Sequence, residues 1–201
     1  MSDAGIVDDE DPREFRSPLN LALDWVGFEA FKWLIFGHIL FAIGLLLVLL
    51  ADLDDGAIWV TPLFGLPLIW KGRGHRLGVK ILVLLLGFTA AHWLAVKAAT
   101  EIYAAPPSIV PGLVGGAVGG ALSLLLCWVF GLLRHGAATL ILALVGIVLL
   151  AGVGGLTVYL YLTTGDGGST LLSGWVQMLK VYTPWQVAFA YVLAKVLRPD
   201  G

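Results

Sequence analysis

Five long apolar segments constrain this chain more than any other feature. They cover approximately residues 28–50, 77–103, 109–133, 137–162 and 171–197, each bounded by charges, prolines or glycine clusters. A helix needs about 20 apolar residues to cross about 30 Å of hydrocarbon. Because backbone in contact with lipid must satisfy its own hydrogen bonds, these segments are predicted to be helices. The chain is therefore predicted to be an all-α integral membrane protein.

The composition agrees with this class and excludes several functions. Of the 201 residues, 59% are hydrophobic and only 13% are charged, whereas about a quarter of a soluble domain is charged. The net charge of -2 comes with no basic stripe, so no nucleic-acid partner is expected. Cys127 is the only cysteine, which excludes an intramolecular disulfide. Hydrolase, nucleotide-binding and metalloprotease motifs are absent, so we expect no enzyme activity, catalytic residue, metal or cofactor.

A sixth apolar segment, residues 58–70, is shorter and reads IWVTPLFGLPLIW. A straight helix of this length would rise only about 20 Å. Pro62, Gly65 and Pro67 predict a break between the two prolines. Irregular backbone at membrane depth must be covered by protein or water. The segment either crosses as a broken helix inside the bundle or dips into the membrane and returns.

The basic residues favour the crossing layout. If the segment crosses, one side of the membrane holds Arg13, Arg16, Lys32, Lys71, Arg73, Arg76, Lys80, Arg134, Lys195 and Arg198. The other side then holds Asp52, Asp54, Asp55, Glu101 and Asp166, with Lys97 as the exception. Positive charge concentrates on the cytoplasmic side, which predicts six spans with both termini cytoplasmic. Five spans with an outside N-terminus is the alternative.

The predicted organisation is a short tail followed by one bundle. Residues 1–17 are acidic and poor in apolar side chains, so we expect a disordered tail. Residues 18–198 form the transmembrane bundle. We place the protein in a bacterial inner membrane.

Glycines recur on two neighbouring segments and predict how these pack. Gly112, Gly116 and Gly120 share one ridge of the 109–133 segment, and Gly154 and Gly155 lie in the next segment. Small residues let two helix backbones approach closely in lipid. We expect these helices to pack against each other or their neighbours. A subunit interface or a sliding contact is the alternative.

Lys180 is the most unusual residue of the apolar segments. It lies about 13 Å along the helix from Leu171, and on a helix it shares a face with Ser173, Gln177 and Thr183. A charge at this depth is costly unless polar groups or water receive it, so the face is predicted to point inward. In the alternative interpretation, the lysine side chain extends outward to the membrane surface.

Further polar residues are predicted to share the interior with Lys180. His38 and His92 lie at similar depth in their segments, and Glu101 is the acid that could neutralise the lysine. The histidines also fit a role as hydrogen-bond partners between helices. The predicted solute-binding residues are Lys180, Gln177, Thr183, His38, His92 and Glu101.

These residues predict a small transporter, channel or solute-binding membrane component with an interior polar site. A lysine without a strong counter-ion favours a polar or anionic solute. The alternative is an accessory or scaffolding subunit that packs through its glycine faces. A weaker alternative is a b-type haem held between His38 and His92. The expected partners are the lipid bilayer and this small solute, with a homo-oligomer or a larger membrane complex as further alternatives.

Overall fold

The computed structural model describes residues 23–71, 76–103, 106–164 and 170–198, and the predicted tail, residues 1–17, lies outside them. The helices are α1 (Trp25–Leu50), α2 (Gly56–Trp59), α3 (Pro62–Lys71), α4 (Leu77–Lys80), α5 (Phe88–Glu101), α6 (Val110–Val129), α7 (Ala137–Thr164) and α8 (Leu171–Val196). A π-helical stretch, Ile81–Gly87, joins α4 and α5 into one helix. The described residues contain no β-strand, so the predicted all-α class is confirmed.

Four helices of the described chain are long and apolar enough to cross a membrane: Trp25–Leu50, Leu77–Glu101, Val110–Val129 and Ala137–Thr164. These helices identify the chain as a membrane protein, as predicted from its sequence. The 26-residue α8 is about 39 Å long, but several polar residues interrupt its apolar character. The segment Gly56–Trp70 is apolar but shorter.

The helices form a ring in which each packs against two neighbours. Helix α1 contacts α3 and α8, and α7 packs between α8 and α6. Helix α5 contacts α6, and α3 packs against the π-helical stretch that precedes α5. This last contact closes the ring.

The short segment between α1 and α4 breaks before its first proline. Helix α2 ends at Trp59, and α3 begins at Pro62. Proline lacks a backbone N–H, but the N–H of the first helical residue has no acceptor within the helix, so Pro62 loses no helical hydrogen bond there. Pro67 lies inside α3 without ending it. The predicted break between the two prolines is therefore wrong in position. Helix α3 tolerates Pro67 because its neighbours hold the backbone on both sides.

Two glycines hold α3 against these neighbours. A Cβ atom on Gly65 would lie 2.6 Å from the Leu84 carbonyl oxygen, and a Cβ on Gly37 of α1 would overlap the Phe64 carbonyl. Further along α1, Gly44 faces Val60. Because the residue numbers rise along α1 as they fall along its partner, this segment runs antiparallel to α1.

Helices α6 and α7 approach each other at backbone distance. A Cβ on Gly154 would lie 2.6 Å from the Gly112 carbonyl oxygen and 3.0 Å from the Gly116 Cα. A Cβ on Gly116 would lie 3.1 Å from the Ala151 Cα. The predicted packing of these two helices through their glycines is confirmed.

Side chains at one end of the bundle tie its elements together, and we call this the Arg134 end. The Arg134 guanidinium donates from Nε to the Leu197 carbonyl at 2.8 Å and also binds the Asp24 carboxylate. Asp24 accepts the Gly27 N–H at 2.7 Å and so caps α1. Burial opposes ionisation of Asp24, but the Gly27 N–H and Arg134 outweigh it and lower the pKa of this carboxyl. We call the opposite end, where α5 ends, the Glu101 end.

Two alanine substitutions test the contact between α6 and α7. Gly116→Ala forces a Cβ against the α7 backbone, and overpacking of this kind costs about 1–3 kcal/mol. Gly152→Ala is the matched control, because no atom lies within 4 Å of its new Cβ. We expect unfolding by sodium dodecyl sulfate to need less detergent for Gly116→Ala and no less for Gly152→Ala. Equal stability of the two variants would contradict the close contact.

Candidate functional site

A cavity of about 450 Å³ lies inside the ring, lined by the residue before α3 and by α3, α5, α6, α7 and α8. It extends from Phe189 in the interior to Thr100 and Tyr103 near the Glu101 end. Thr100 and Tyr103 are exposed, so the cavity reaches the surface there. Among the described residues, its lining includes no Asp, Glu, Lys or Arg.

Aromatic rings form the inner part of the cavity, and we call Phe64, Phe88, Trp185 and Phe189 the aromatic floor. The Phe189 ring lies 5.3 Å from Phe88 in an edge-to-face contact and 6.0 Å from Phe64. The Trp185 and Phe189 rings are nearly parallel, with centroids 5.3 Å apart. Such aromatic contacts stabilise beyond the area that they bury. The floor is therefore a rigid apolar surface assembled from α3, α5 and α8.

Glycines of α6 form one wall of the cavity. Gly112, Gly115, Gly116 and Gly119 line it, and they contribute no side chain to fill the space. A Cβ on Gly115 would lie 3.2 Å from the Ala99 Cβ of α5. The glycines that allow close helix packing therefore also leave room for the cavity.

His92 lines the cavity and is fixed by a hydrogen bond to Thr61. The Thr61 Oγ1 lies 2.5 Å from the His92 Nδ1 and donates to the Ala57 carbonyl at 3.0 Å. We assign the one hydroxyl hydrogen to the Ala57 carbonyl, which can only accept, so the His92 Nδ1–H donates a hydrogen bond to the Thr61 Oγ1. In this tautomer the His92 Nε2 carries a lone pair and acts as an acceptor.

His38 has its partner elsewhere. Its Nδ1 lies 2.7 Å from the Gln186 Oε1, and both side chains are buried. This bond joins α1 to α8, as the alternative interpretation of the histidines expected. Gln186 lines the cavity and His38 does not. Because only one of the two imidazoles reaches the cavity, this geometry gives no support to a haem held between them.

The His92 Nε2, the Trp185 Nε1 and the Gln177 Oε1 are buried and have no hydrogen-bond partner among the described residues. Leaving a buried polar atom unpaired costs about 1–3 kcal/mol. His92 and Trp185 both line the cavity, and Gln177 does not. The cavity wall therefore contains an unpaired imidazole nitrogen and an unpaired indole nitrogen.

Lys180 does not face the bundle interior, and that prediction is wrong. The residue is exposed and is not part of the cavity lining. Met178, Tyr182, Trp185 and Phe189 take the inward face of α8, where the Phe189 ring packs against Phe64 and Phe88. At 100° per residue, Lys180 lies on the opposite face, where its flexible stem can carry the ammonium outward.

The other predicted site residues are divided between the cavity and its surroundings. Gln177 and Thr183 are partly buried outside the cavity, and Glu101 is exposed at the end of α5. Of the six residues predicted to bind a solute, only His92 lines the cavity. Roles of the other five in binding stay predictions.

Thr61, Tyr182, Trp185 and Gln186 line the cavity but were not predicted from the sequence. The signal for Tyr182 and Trp185 was the aromatic spacing of α8, because these two residues and Phe189 repeat at helical intervals. Comparisons of the chain with protein-family models, curated proteins and solved structures gave no match.

Two glutamine substitutions on α8 test the hydrogen bonding around the cavity. Gln186→Leu leaves the buried His38 Nδ1 without its partner, which we expect to destabilise the protein by about 1–3 kcal/mol. Gln177→Leu makes the same chemical change but removes an oxygen that has no partner, so its stability should be unchanged or higher. Thermal unfolding in detergent measures both. A Gln186→Leu variant as stable as the Gln177→Leu variant would contradict this bond.

Proposed function

We propose that this chain is a small membrane transporter or solute-binding component that holds a neutral, largely apolar molecule in its interior cavity. The observation that carries the proposal is the cavity itself, about 450 Å³ with an aromatic floor and a few hydrogen-bonding groups. Sites for small molecules commonly combine apolar walls with a few convergent polar groups.

The lining chemistry favours a neutral solute over an ion. A buried charge is costly unless an opposite charge or several hydrogen bonds receive it. The part of the cavity lining that the structure describes offers no Asp, Glu, Lys or Arg for this purpose. Preference for an anionic solute rested on Lys180, which is outside the cavity. We therefore propose a neutral solute instead.

Six segments cross the membrane in the layout that we propose. Helix α1 begins at the Arg134 end, and Gly56–Lys71 runs antiparallel to it back toward that end. The Arg76 guanidinium, just before α4, donates to the Gly131 carbonyl after α6 at 2.8 Å. The antiparallel course of residues 56–71 and the bond from Arg76 to Gly131 both support a second crossing of the membrane between α1 and α4. The positive-inside rule makes the Arg134 end cytoplasmic, so the cavity opens toward the outer side.

The accessory-subunit alternative has less support from the glycine faces. Gly112, Gly116, Gly154 and Gly155 pack between α6 and α7 of the same chain. Glycines engaged in this way are not available to a larger complex. An interface on another face of the protein stays an alternative.

Cysteine labelling distinguishes six spans from five. In the six-span layout Asp54 lies outside the cell, and in the five-span layout it lies inside. We expect Asp54→Cys to react with an impermeant maleimide in intact cells, because Asp54 is exposed. Pro107→Cys should react in both layouts and His135→Cys in neither. Native Cys127 is buried and gives no background. Absence of labelling at Asp54→Cys would reject the six-span layout.

Cavity filling tests the binding proposal, with para-cymene as a neutral probe and its carboxylate analogue cuminate as an anionic one. We expect the purified protein to bind para-cymene more tightly than cuminate, measured by equilibrium dialysis against empty micelles. Val158→Trp places an indole in the cavity and should abolish binding. Leu156→Trp adds the same ring on the outer face of α7, where the leucine is 54% exposed, and should leave binding unchanged.

Lys180→Met separates this proposal from the earlier lysine hypothesis. Because Lys180 lies outside the cavity, we expect the variant to bind para-cymene as the wild type does. Tighter binding of cuminate than of para-cymene, with loss of that binding in Lys180→Met, would replace the neutral-solute proposal by an anion site at the lysine.

A further inference from the structure

We infer that the solute carries a hydroxyl group that binds His92 and Trp185 together. This inference rests on the proposed function and specifies the solute further. It starts from two cavity-lining residues that each hold a buried nitrogen without a hydrogen-bond partner, the His92 Nε2 and the Trp185 Nε1.

The two atoms require opposite partners. In the assigned tautomer the His92 Nδ1–H donates a hydrogen bond to the Thr61 Oγ1, so the Nε2 can only accept one. The indole N–H of Trp185 can only donate one. A ligand that satisfies both must therefore offer one donor and one acceptor.

His92 and Trp185 are held near each other by Tyr182. The His92 and Tyr182 rings meet edge to face with centroids 5.4 Å apart, and Trp185 lies one turn further along α8. Both residues line the same cavity, and we infer that one small group bonds to both.

A hydroxyl is the smallest neutral group that meets this requirement. Its O–H donates to the His92 Nε2, and its oxygen accepts from the Trp185 N–H. A ketone or an ether satisfies Trp185 alone. A primary amide brings two donor hydrogens and two acceptor lone pairs, which is more than these two atoms can pair. The inference therefore specifies an alcohol or a phenol.

The aromatic floor describes the rest of the molecule. Trp185 is part of the aromatic floor, and its Nε1 is one of the unpaired polar atoms. The hydroxyl therefore lies at the edge of an apolar surface. Flat hydrocarbon next to the hydroxyl would pack on these rings. A hydroxylated ring such as a phenol or a cyclic alcohol matches both features.

Three related probes test the inference: thymol, thymol methyl ether and para-cymene. They share one hydrocarbon ring, and only thymol has a hydroxyl that can donate and accept. We expect the wild-type protein to bind thymol about tenfold more tightly than its methyl ether, as expected for one lost hydrogen bond. Equilibrium dialysis against empty micelles corrects for partitioning of the probes into detergent.

Variants identify the residues that produce the preference. His92→Phe keeps a ring beside Tyr182 but removes the acceptor, and Trp185→Phe removes the N–H. His92→Phe should reduce the preference for thymol over its methyl ether to about twofold or less. Trp185→Phe should weaken the binding of thymol and of the ether alike, because the oxygen of each accepts the same N–H. Para-cymene should still bind to both variants, which shows that the cavity is intact. Trp128→Phe, on the outer face of α6 where the indole is 58% exposed, should keep the full preference.

The outcomes distinguish this inference from the proposed function. Equal affinity for thymol and its methyl ether, with para-cymene bound, would overturn the hydroxyl inference and leave the neutral-solute proposal standing. Absence of binding for all three probes would overturn both. A preference for thymol over its methyl ether that persists in His92→Phe, or binding of thymol and the ether that is not weakened in Trp185→Phe, would place the hydroxyl elsewhere and also overturn the inference.

Discussion

Helices in lipid gain little from hiding apolar surface, because the surrounding hydrocarbon is equally apolar, and they associate where their backbones approach closely. In this chain the approach of α6 to α7 depends on Gly112, Gly116 and Gly154. The same stretch of α6 presents no side chains toward the centre of the ring, where the cavity lies. Removal of side chains thus brings one pair of helices together and keeps space open beside them.

Polar groups in the interior are few, and most have an assigned partner. His38 binds Gln186, and the His92 Nδ1 binds Thr61, so both imidazoles are oriented by neighbouring helices. Groups that are satisfied in this way fix the relative position of α1, α3, α5 and α8. Against this background, the unpaired His92 Nε2 and Trp185 Nε1 are exceptions that a bound molecule would explain.

The sequence predicted the architecture better than the site, for a physical reason. Apolar length determines a membrane helix almost alone, so α1, α6, α7 and the helix Leu77–Glu101 follow from the pattern of residues. Which face of α8 points inward depends on the balance between its polar and its aromatic side chains. The long side chain of a lysine can extend outward to the membrane surface, whereas Trp185 and Phe189 need a packed interior. Pairing of His92 with Thr61 depends on how α3 packs, which the spacing of residues alone does not reveal.

The bonds of Arg134 have a consequence for the order of assembly during synthesis. Arg134 follows α6 and holds both Asp24, at the start of the first helix, and Leu197, after the last one. The first helix can therefore meet this guanidinium as soon as α6 is made, while the place beside it stays vacant until Leu197 leaves the ribosome. Helix α8, which is less apolar than the four spans made before it, packs between α1 and α7. The floor of the cavity needs Trp185 and Phe189, so it can form only after α8 has been made.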